Sequence, residues 1–321
     1  MKEHRIFRQI GLCMMLVLAS TVLVGTVGSA AILQNRQVEP IPESAVPPLQ
    51  ELKIPEPKPQ NVELEVVSQE ETEDAVLNIL LIGQDADGGK GVRSDTMILC
   101  TFNKPDRTII ITSFLRDLYV TIPGHHKDRI NAAYAYGGVK LLEETLWENF
   151  DVEVDGYVQV DFDHFQEIID LLGGVTIDLT EAEARSINKH VAGSKVNAGE
   201  NLLDGQQALA YVRNRKDVDG DFSRTKRQRK LLNALVQGYK SQKLPRMIGL
   251  LGDILPMINT DISKAELTGY AMTYFPLLTS GKIKTQSIPV EDGFQYAQID
   301  GKAVLLPDME KNKQALKDVL T

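Results

Sequence analysis

The chain has 321 residues, of which 43% are hydrophobic and 25% charged, a composition typical of a globular protein rather than a disordered or fibrous one. Its net charge of -9 argues against a generally basic protein that binds nucleic acid through phosphate contacts, so any anion site must be local. With only Cys13 and Cys100, the sequence excludes a disulfide framework and a cysteine metal cluster.

The N-terminus contains an uncharged apolar run, residues 10–33, that is long enough to cross a bilayer as a helix. Lys2, Arg5 and Arg8 precede this run, so the positive-inside rule places residues 1–9 in the cytoplasm. A cleaved signal peptide is the alternative, but signal cores are usually only about 7–15 residues long. We therefore predict a single-pass cell-membrane protein with a signal anchor and an extracytoplasmic domain.

A proline-rich segment follows the apolar run and contains half of the 14 prolines of the chain, between residues 38 and 60. Such a segment forms neither a helix nor an interior strand. Together with the acidic residues up to Asp74, it predicts a semi-extended linker over residues 34–74. The remaining residues, 75–321, are predicted to form the folded domain.

Within that domain, short apolar runs alternate with segments in which apolar residues recur at three- and four-residue steps. The apolar runs predict strands at 77–82, 96–102, 108–114, 157–160, 175–179 and 284–289. The periodic segments predict helices at 139–150, 162–172, 204–212, 224–242, 247–254 and 264–278. Because some links are too short for parallel crossovers, we predict an α/β fold with a mixed central sheet between helices on both faces.

A glycine-rich segment at 83–96 separates the first two predicted strands and holds three carboxylates and two cations. The oxygens of Asp85 and Asp95 are hard ligands that suit Mg²⁺, an ion commonly shared with substrate phosphates. Arg93 would bind a phosphate in the same pocket. The alternative is a polar hairpin loop, because glycine and aspartate are the usual turn residues.

The third predicted strand is followed by Arg116, and the ends of strands are where α/β sheets place ligands. The alternative is a surface ion pair between Arg116 and Asp117. The segment 129–138 comes next, with small residues and two tyrosines, and core packing explains it equally well.

A basic cluster is the most informative feature, since eight cations fall within residues 213–230 of an acidic chain. Arg224, Arg227 and Gln228 are spaced to share one face of a helix. Guanidinium groups bind phosphate oxygens in bidentate fashion, so converging arginines favour a pyrophosphate site. The alternative is a solvated basic helix face. The histidines show no zinc spacing, and the motifs of a serine hydrolase and a P-loop are absent.

Taken in order, these segments resemble the LytR-CpsA-Psr family of bacterial cell-envelope proteins over roughly residues 77–236, with an anchor and a stalk in the expected places. The matching segments are Asp85, 93–96, 116–117, 129–131, 133–138, 161–163, 172–175, 210–215, 220–222, Arg224 and 227–228. Little beyond about residue 245 contributes to the resemblance.

The resemblance implies a phosphotransferase that moves a glycan phosphate from a polyprenyl-pyrophosphate carrier to N-acetylmuramic acid of peptidoglycan. Its catalytic residues would be Asp85, Asp95 and Arg116, with both aspartates holding Mg²⁺ or Mn²⁺ and Asp85 assisting removal of the hydroxyl proton. The pyrophosphate-binding residues would be Arg93, Arg116, Arg213, Arg215, Arg224, Arg227 and Gln228. The implied partners are the lipid-linked donor, the peptidoglycan acceptor and the membrane, with no nucleic acid.

One position departs from the family pattern, because Asp87 stands where many members carry arginine. The exchange replaces a phosphate contact by a third carboxylate. A tighter metal site, compensation by Lys90, a different carrier lipid and weak catalysis are the open interpretations.

Other functions remain as alternatives to the transferase. A non-enzymatic regulator or scaffold would bind polyprenyl-linked polymers without transferring them, and a hydrolase would use water in place of the sugar hydroxyl. A DNA-binding regulator is disfavoured because the basic cluster follows the predicted membrane span.

Overall fold

The computed structural model describes residues 76–83, 94, 96–214, 221–239 and 252–320. The predicted anchor and linker lie outside these residues, as do Asp85, Asp87, Arg93, Asp95 and Arg215 and most of the predicted helix 247–254. In the part of the chain that is described, no helix combines the length and apolarity needed to cross a bilayer.

A six-stranded mixed sheet forms the centre of the domain. Its strands, in spatial order, are β10 (Lys282–Ile288), β3 (Thr108–Phe114), β2 (Thr96–Asn103), β1 (Val76–Gly83), β6 (Gly156–Val160) and β9 (Asn259–Thr260). The pairs β1–β2, β2–β3 and β6–β9 are antiparallel, whereas β1–β6 and β3–β10 are parallel. The prediction of a mixed sheet is therefore confirmed.

Three small strand pairs accompany the central sheet. They are β4 (Tyr119–Val120) with β5 (Asp128–Arg129), β7 (Val175–Leu179) with β8 (Gly199–Leu203), and β11 (Phe294–Ile299) with β12 (Lys302–Pro307). The strand predicted at 175–179 therefore exists but belongs to a separate ribbon. The β11–β12 hairpin turns at Asp300 and Gly301, whose φ angles of 50° and 74° suit a two-residue hairpin turn.

Helices cover the sheet and link its strands. They are α1 (Ile130–Phe150), α2 (Phe162–Leu171), α3 (Glu181–His190), α4 (Gly205–Arg213), α5 (Asp221–Tyr239), α6 (Lys264–Ser280) and α7 (Met309–Leu320). Capping boxes define the starts of three of them, with Thr180 before α3, Asp204 before α4 and Ser263 before α6. Helix α1 begins earlier than predicted. It is kinked at Gly137 and Gly138, and the predicted helix at 139–150 corresponds to the part after the kink.

Both faces of the central sheet are covered by helices. Residues opposite one another on β2 and β3 point to the same face, and this register places Phe102 and Phe114 on opposite faces. The ring of Phe114 contacts Phe150 of α1, with ring centroids 5.5 Å apart, and Phe102 contacts Tyr274 of α6 at 5.8 Å. Helices α1 and α6 therefore lie on different faces, which agrees with the predicted layering.

A half-buried carboxyl group on α1, that of Glu143, makes the stability of the domain depend on pH. Burial, together with the nearby carboxylates of Asp261 and Glu144, raises its pKa from an ordinary value of 4.5 to about 7. A raised pKa means that protonation favours the folded state. This stabilisation is present below about pH 4.5 and is lost as the pH rises through about 7.

We expect Glu143→Gln to increase the free energy of unfolding at pH 8 by about 1 kcal/mol, a value discounted for solvent screening of a partly exposed group. No increase is expected at pH 4, where the carboxyl group is protonated in both states. Urea unfolding of both proteins at the two pH values measures the difference. An equal effect at pH 4 and pH 8 would contradict the assignment.

Candidate functional site

Five strand ends meet at one edge of the central sheet, here called the motif edge. They are Gly83 of β1, Thr96 of β2, Phe114 of β3, Val160 of β6 and Ile288 of β10, which the strand registers place side by side. Four of these positions adjoin predicted motifs: Gly83 and Thr96 bound the glycine-rich segment, Phe114 precedes Arg116 by two residues, and Val160 precedes the segment 161–163. The described site residues therefore gather at one edge although they are distant in the sequence.

Arg116 lies two residues beyond the end of β3 and belongs to a chain of three charged side chains. Its Nε is 3.8 Å from Oδ2 of Asp117, and Oδ1 of Asp117 is 3.1 Å from a guanidinium nitrogen of Arg129. All three side chains are more than three-quarters buried. The pair that was considered as a surface contact is thus part of a largely buried network, in which the Asp117 carboxylate lies between two guanidinium groups.

The predicted face of helix α5 is buried. Arg224, Arg227 and Gln228 are only 1%, 5% and 0% exposed, whereas Lys226 and Lys230 on the same helix are exposed. A solvated basic face therefore does not describe these three residues. Guanidinium groups are seldom this deeply buried unless an anion or several hydrogen bonds compensate their charge.

Arg227 and Gln228 have contacts within the protein that assign each a structural role. The guanidinium of Arg227 donates to the carbonyl oxygen of Asn214 and lies 3.8 Å from a carboxylate oxygen of Glu183 on α3. The amide nitrogen of Gln228 donates to the hydroxyl of Thr96, at 2.9 Å. Gln228 thereby attaches α5 to the motif edge, and Arg224 lies one turn earlier on the same face.

Arg213 ends helix α4 and lies over the ring of Phe162, with its guanidinium carbon 4.5 Å from the ring centroid. This cation–π contact fixes the guanidinium close to the end of β6, because Phe162 follows Val160 by two residues. Arg213 and Arg116 are therefore both held near the motif edge. Of the predicted basic residues, Arg215 lies outside the described part of the chain.

Several buried polar atoms at the motif edge have no hydrogen-bond partner among the described residues. They include the hydroxyls of Ser94 and Ser113 and the side-chain carbonyl oxygens of Asn131 and Gln228. Buried polar groups are usually paired, so such a cluster fits a site that receives a polar ligand. The described residues contain no group of three side chains suited to a metal ion, and Asp85 and Asp95 lie outside them.

The C-terminal hairpin, which the sequence analysis did not connect with function, supports the charged network. The backbone N–H of Leu305 donates to the carbonyl oxygen of Asp117 at 2.9 Å, and the guanidinium of Arg129 donates to the carbonyl oxygen of Ala303. Strand β12 thus lies against the segment that carries Asp117. The Asp300–Gly301 dipeptide was the sequence signal that predicts such a hairpin.

A second contact joins the hairpin to helix α1 through the buried carboxylate of Asp128. Burial alone would raise its pKa, but hydrogen bonds from the backbone of Arg129, the hydroxyl of Tyr136 and the amine of Lys302 lower it overall. The Tyr136 hydroxyl and the Lys302 amine are 2.8 and 3.0 Å from the carboxylate. Asp128 therefore remains ionised and connects the hairpin to α1.

Comparison with known proteins identifies relatives that span most of the chain. A family model described as the LytR_cpsA_psr family matches residues 50–319. The regulatory protein MsrR of Staphylococcus aureus (strain Mu50) is 31% identical over 255 residues, which cover 77% of this chain and 75% of the relative. The polyisoprenyl-teichoic acid–peptidoglycan teichoic acid transferase TagT of Bacillus subtilis (strain 168) is 35% identical over 226 residues, 68% of each chain.

Solved structures with the same fold include two ligand complexes of TagT. A structure described as TagT bound to LIIa-WTA has a TM-score of 0.64 and 32% identity, covering 77% of this chain and 89% of that one. TagT with bound octaprenyl pyrophosphate lipid has a TM-score of 0.60 and 29% identity, with coverages of 78% and 92%. The match to the family model and these structural similarities establish which family the chain is part of.

Proposed function

Because the chain belongs to the LytR-CpsA-Psr family, we propose that it is a phosphotransferase that moves a glycopolymer from a polyprenyl-pyrophosphate carrier to peptidoglycan. The observation that carries the proposal is the convergence of arginines at one sheet edge of a chain whose net charge is -9. Arg116 and Arg213 are held there by neighbouring side chains, and Arg224 is buried close by. Such an arrangement suits a ligand with several phosphate oxygens.

The proposed reaction is an exchange at the phosphorus atom that carries the glycan. A hydroxyl oxygen of N-acetylmuramic acid forms a new bond to this phosphorus, and the bond to the bridging oxygen of the pyrophosphate breaks. Polyprenyl phosphate leaves with the electron pair of that bond, and we assign removal of the hydroxyl proton to Asp85. The arginines stabilise the charge that develops on the phosphate oxygens.

We propose Asp85 and Asp95 as ligands of a divalent cation, Mg²⁺ or Mn²⁺. When bound, such an ion would neutralise charge on the pyrophosphate. The two aspartates follow β1 and precede β2, whose ends lie at the motif edge. The segment that carries them thus connects two strands of the candidate site.

We also propose that residues 10–33 anchor the protein in the cell membrane, with residues 1–9 in the cytoplasm and the domain outside. The linker over residues 34–74 would hold the domain above the bilayer that contains the lipid-linked donor. A topology reporter placed at the C-terminus tests this orientation, because a cytoplasmic signal would contradict it.

The experiment that tests the function uses the full chain in detergent micelles with Mg²⁺, a polyprenyl-pyrophosphate-linked saccharide and soluble peptidoglycan oligosaccharides. We expect mass spectrometry to find the saccharide joined to the acceptor by a phosphodiester. Release of phosphorylated saccharide in the absence of acceptor would identify a hydrolase instead.

A binding regulator is the second candidate, and the relative named regulatory protein MsrR, at 31% identity, is the observation that favours it. This function predicts tight binding of the lipid-linked donor with no transfer from any of several donors. Donor binding and product formation, measured on the same protein preparation, distinguish the two functions.

A further inference from the structure

Three aromatic side chains form a continuous row, here called the aromatic ladder. Phe222, at the start of α5, stacks on Phe294 of β11, with ring centroids 5.5 Å apart and planes inclined by 28°. Phe294 in turn meets Tyr296 edge to face, with centroids 5.1 Å apart. Phe294 and Tyr296 are two residues apart on one strand and therefore point to the same face of the hairpin.

The aromatic ladder is connected to the candidate site through two elements of the fold. Phe222 lies on α5, the helix that carries the buried Arg224, although residues two apart on a helix point to different sides. Tyr296 lies opposite Leu305 in the hairpin, and the N–H of Leu305 donates to the carbonyl oxygen of Asp117. The ladder is thus one strand away from the segment that carries Asp117 and is continuous with the helix that carries Arg224.

The outer end of the ladder is open to solvent. Tyr296 is 77% exposed, whereas Phe222 and Phe294 are partly buried. Gln298, two residues further along β11 on the same face as Tyr296, is also exposed. A single exposed aromatic residue is common, but the exposed Tyr296 ends a row of three rings in contact, and its own exposed surface contributes little to folding. The exposed end of the ladder therefore presents one aromatic ring and one amide, on the hairpin that contacts the segment carrying Asp117.

This composition suits a saccharide better than a phosphate or a lipid. The C–H bonds on one side of a sugar ring pack against the face of an aromatic ring, and amide groups exchange hydrogen bonds with sugar hydroxyls. A phosphate would instead require cations, and an acyl chain would require a groove shielded from water. The exposed end of the ladder, at Tyr296, is uncharged and is not enclosed by a groove, whereas the exposed Lys226 lies one helical turn from Phe222 at the other end.

We propose that the aromatic ladder binds sugar rings of the glycan acceptor, and this inference rests on the proposed function. The acceptor is favoured over the donor because the buried arginines at the motif edge suit the pyrophosphate of the donor. A glycan strand is too large to enter such a site and must lie across an exposed surface next to it. Tyr296 supplies that surface, and the partly buried rings hold it in place.

The test replaces Tyr296 by alanine in the full chain and measures transfer at varied acceptor and donor concentrations. We expect the KM for soluble peptidoglycan oligosaccharides to rise about tenfold, as for loss of one aromatic stacking contact, with the kcat and the donor KM unchanged. Tyr296→Trp should retain the acceptor KM. Trp147→Ala is the matched control, because this aromatic residue is 57% exposed at the far end of α1.

Calorimetric titration of the full chain with the same oligosaccharides provides a readout that does not depend on transfer. Weaker binding in Tyr296→Ala, and unchanged binding in Trp147→Ala, would support the ladder even if no transfer were observed and the proposed function failed. An unchanged acceptor affinity would overturn the inference while leaving the transferase intact. A rise in the donor KM alone would also overturn it, because the ladder would then contact the donor glycan.

Discussion

Removal of divalent cations by a chelator is expected to abolish glycopolymer transfer, with a loss of at least about a thousandfold, equivalent to about 4 kcal/mol of transition-state stabilisation. The reason is that the negative charge of the pyrophosphate must be neutralised as its bond breaks. Addition of Mg²⁺ or Mn²⁺ should restore transfer in the wild-type protein. The same mass-spectrometric assay, run at a series of metal concentrations, measures the requirement.

Asp95→Ala should lower transfer to the same extent, with no rescue at ordinary Mg²⁺ concentrations. The matched control is Glu200→Ala, which removes an exposed carboxylate from the separate β7–β8 ribbon and should leave both the rate and the metal requirement unchanged. Full transfer in the presence of a chelator would refute the metal site, although the transferase assignment would remain.

Arg116→Ala is expected to reduce kcat/KM for the donor by about a hundredfold or more, in the range typical for loss of one preorganised group that stabilises transition-state charge. The Asp117 carboxylate lies between Arg116 and Arg129, and the Arg116 side chain is only 22% exposed, so its position is restricted before the substrate binds. Steady-state kinetics with varied donor give the change. Thermal unfolding of the same variant separates a loss of stability from a loss of catalysis, because Arg116 belongs to a largely buried charged network.

Arg185→Ala is a suitable control for this substitution. Arg185 pairs with Glu181 on the surface of α3, and both side chains are more than 70% exposed, so its loss should alter neither kinetics nor stability noticeably. If Arg116→Ala retained wild-type kinetics, Arg116 would have a structural role only. The pyrophosphate would then depend on Arg213 and Arg224.

The central strands could be predicted from the local pattern of apolar residues. The segments 77–82 and 108–114 are short and mostly apolar, and a run of this length and composition is typical of a strand buried on both faces. The segment 175–179 was equally recognisable as a strand. Its partner was not, because pairing with β8 depends on residues 199–203, which do not form a strongly apolar run.

For the candidate site, the burial of one face of helix α5 could not be predicted from the sequence. Its periodicity predicts that Arg224, Arg227 and Gln228 share a face, but the same spacing allows either a solvated or a buried face. The outcome depends on Glu183 of α3, the backbone of Asn214 and Thr96 of β2, which contact that face. Such contacts join residues far apart in the chain and have no local signature.

The sequence by itself determined the family, the mixed α/β fold and the residue types of an anion site. Each of these follows from local properties of the chain, namely the spacing of apolar residues, the residues that favour turns and the order of the motifs. Only the tertiary structure decided that the described arginines converge at the motif edge and that the C-terminal hairpin supports Asp117 and Arg129. The same holds for the aromatic ladder, which joins residues 222 and 294. The physical reason is that burial, register and long-range contacts arise only when the whole core packs.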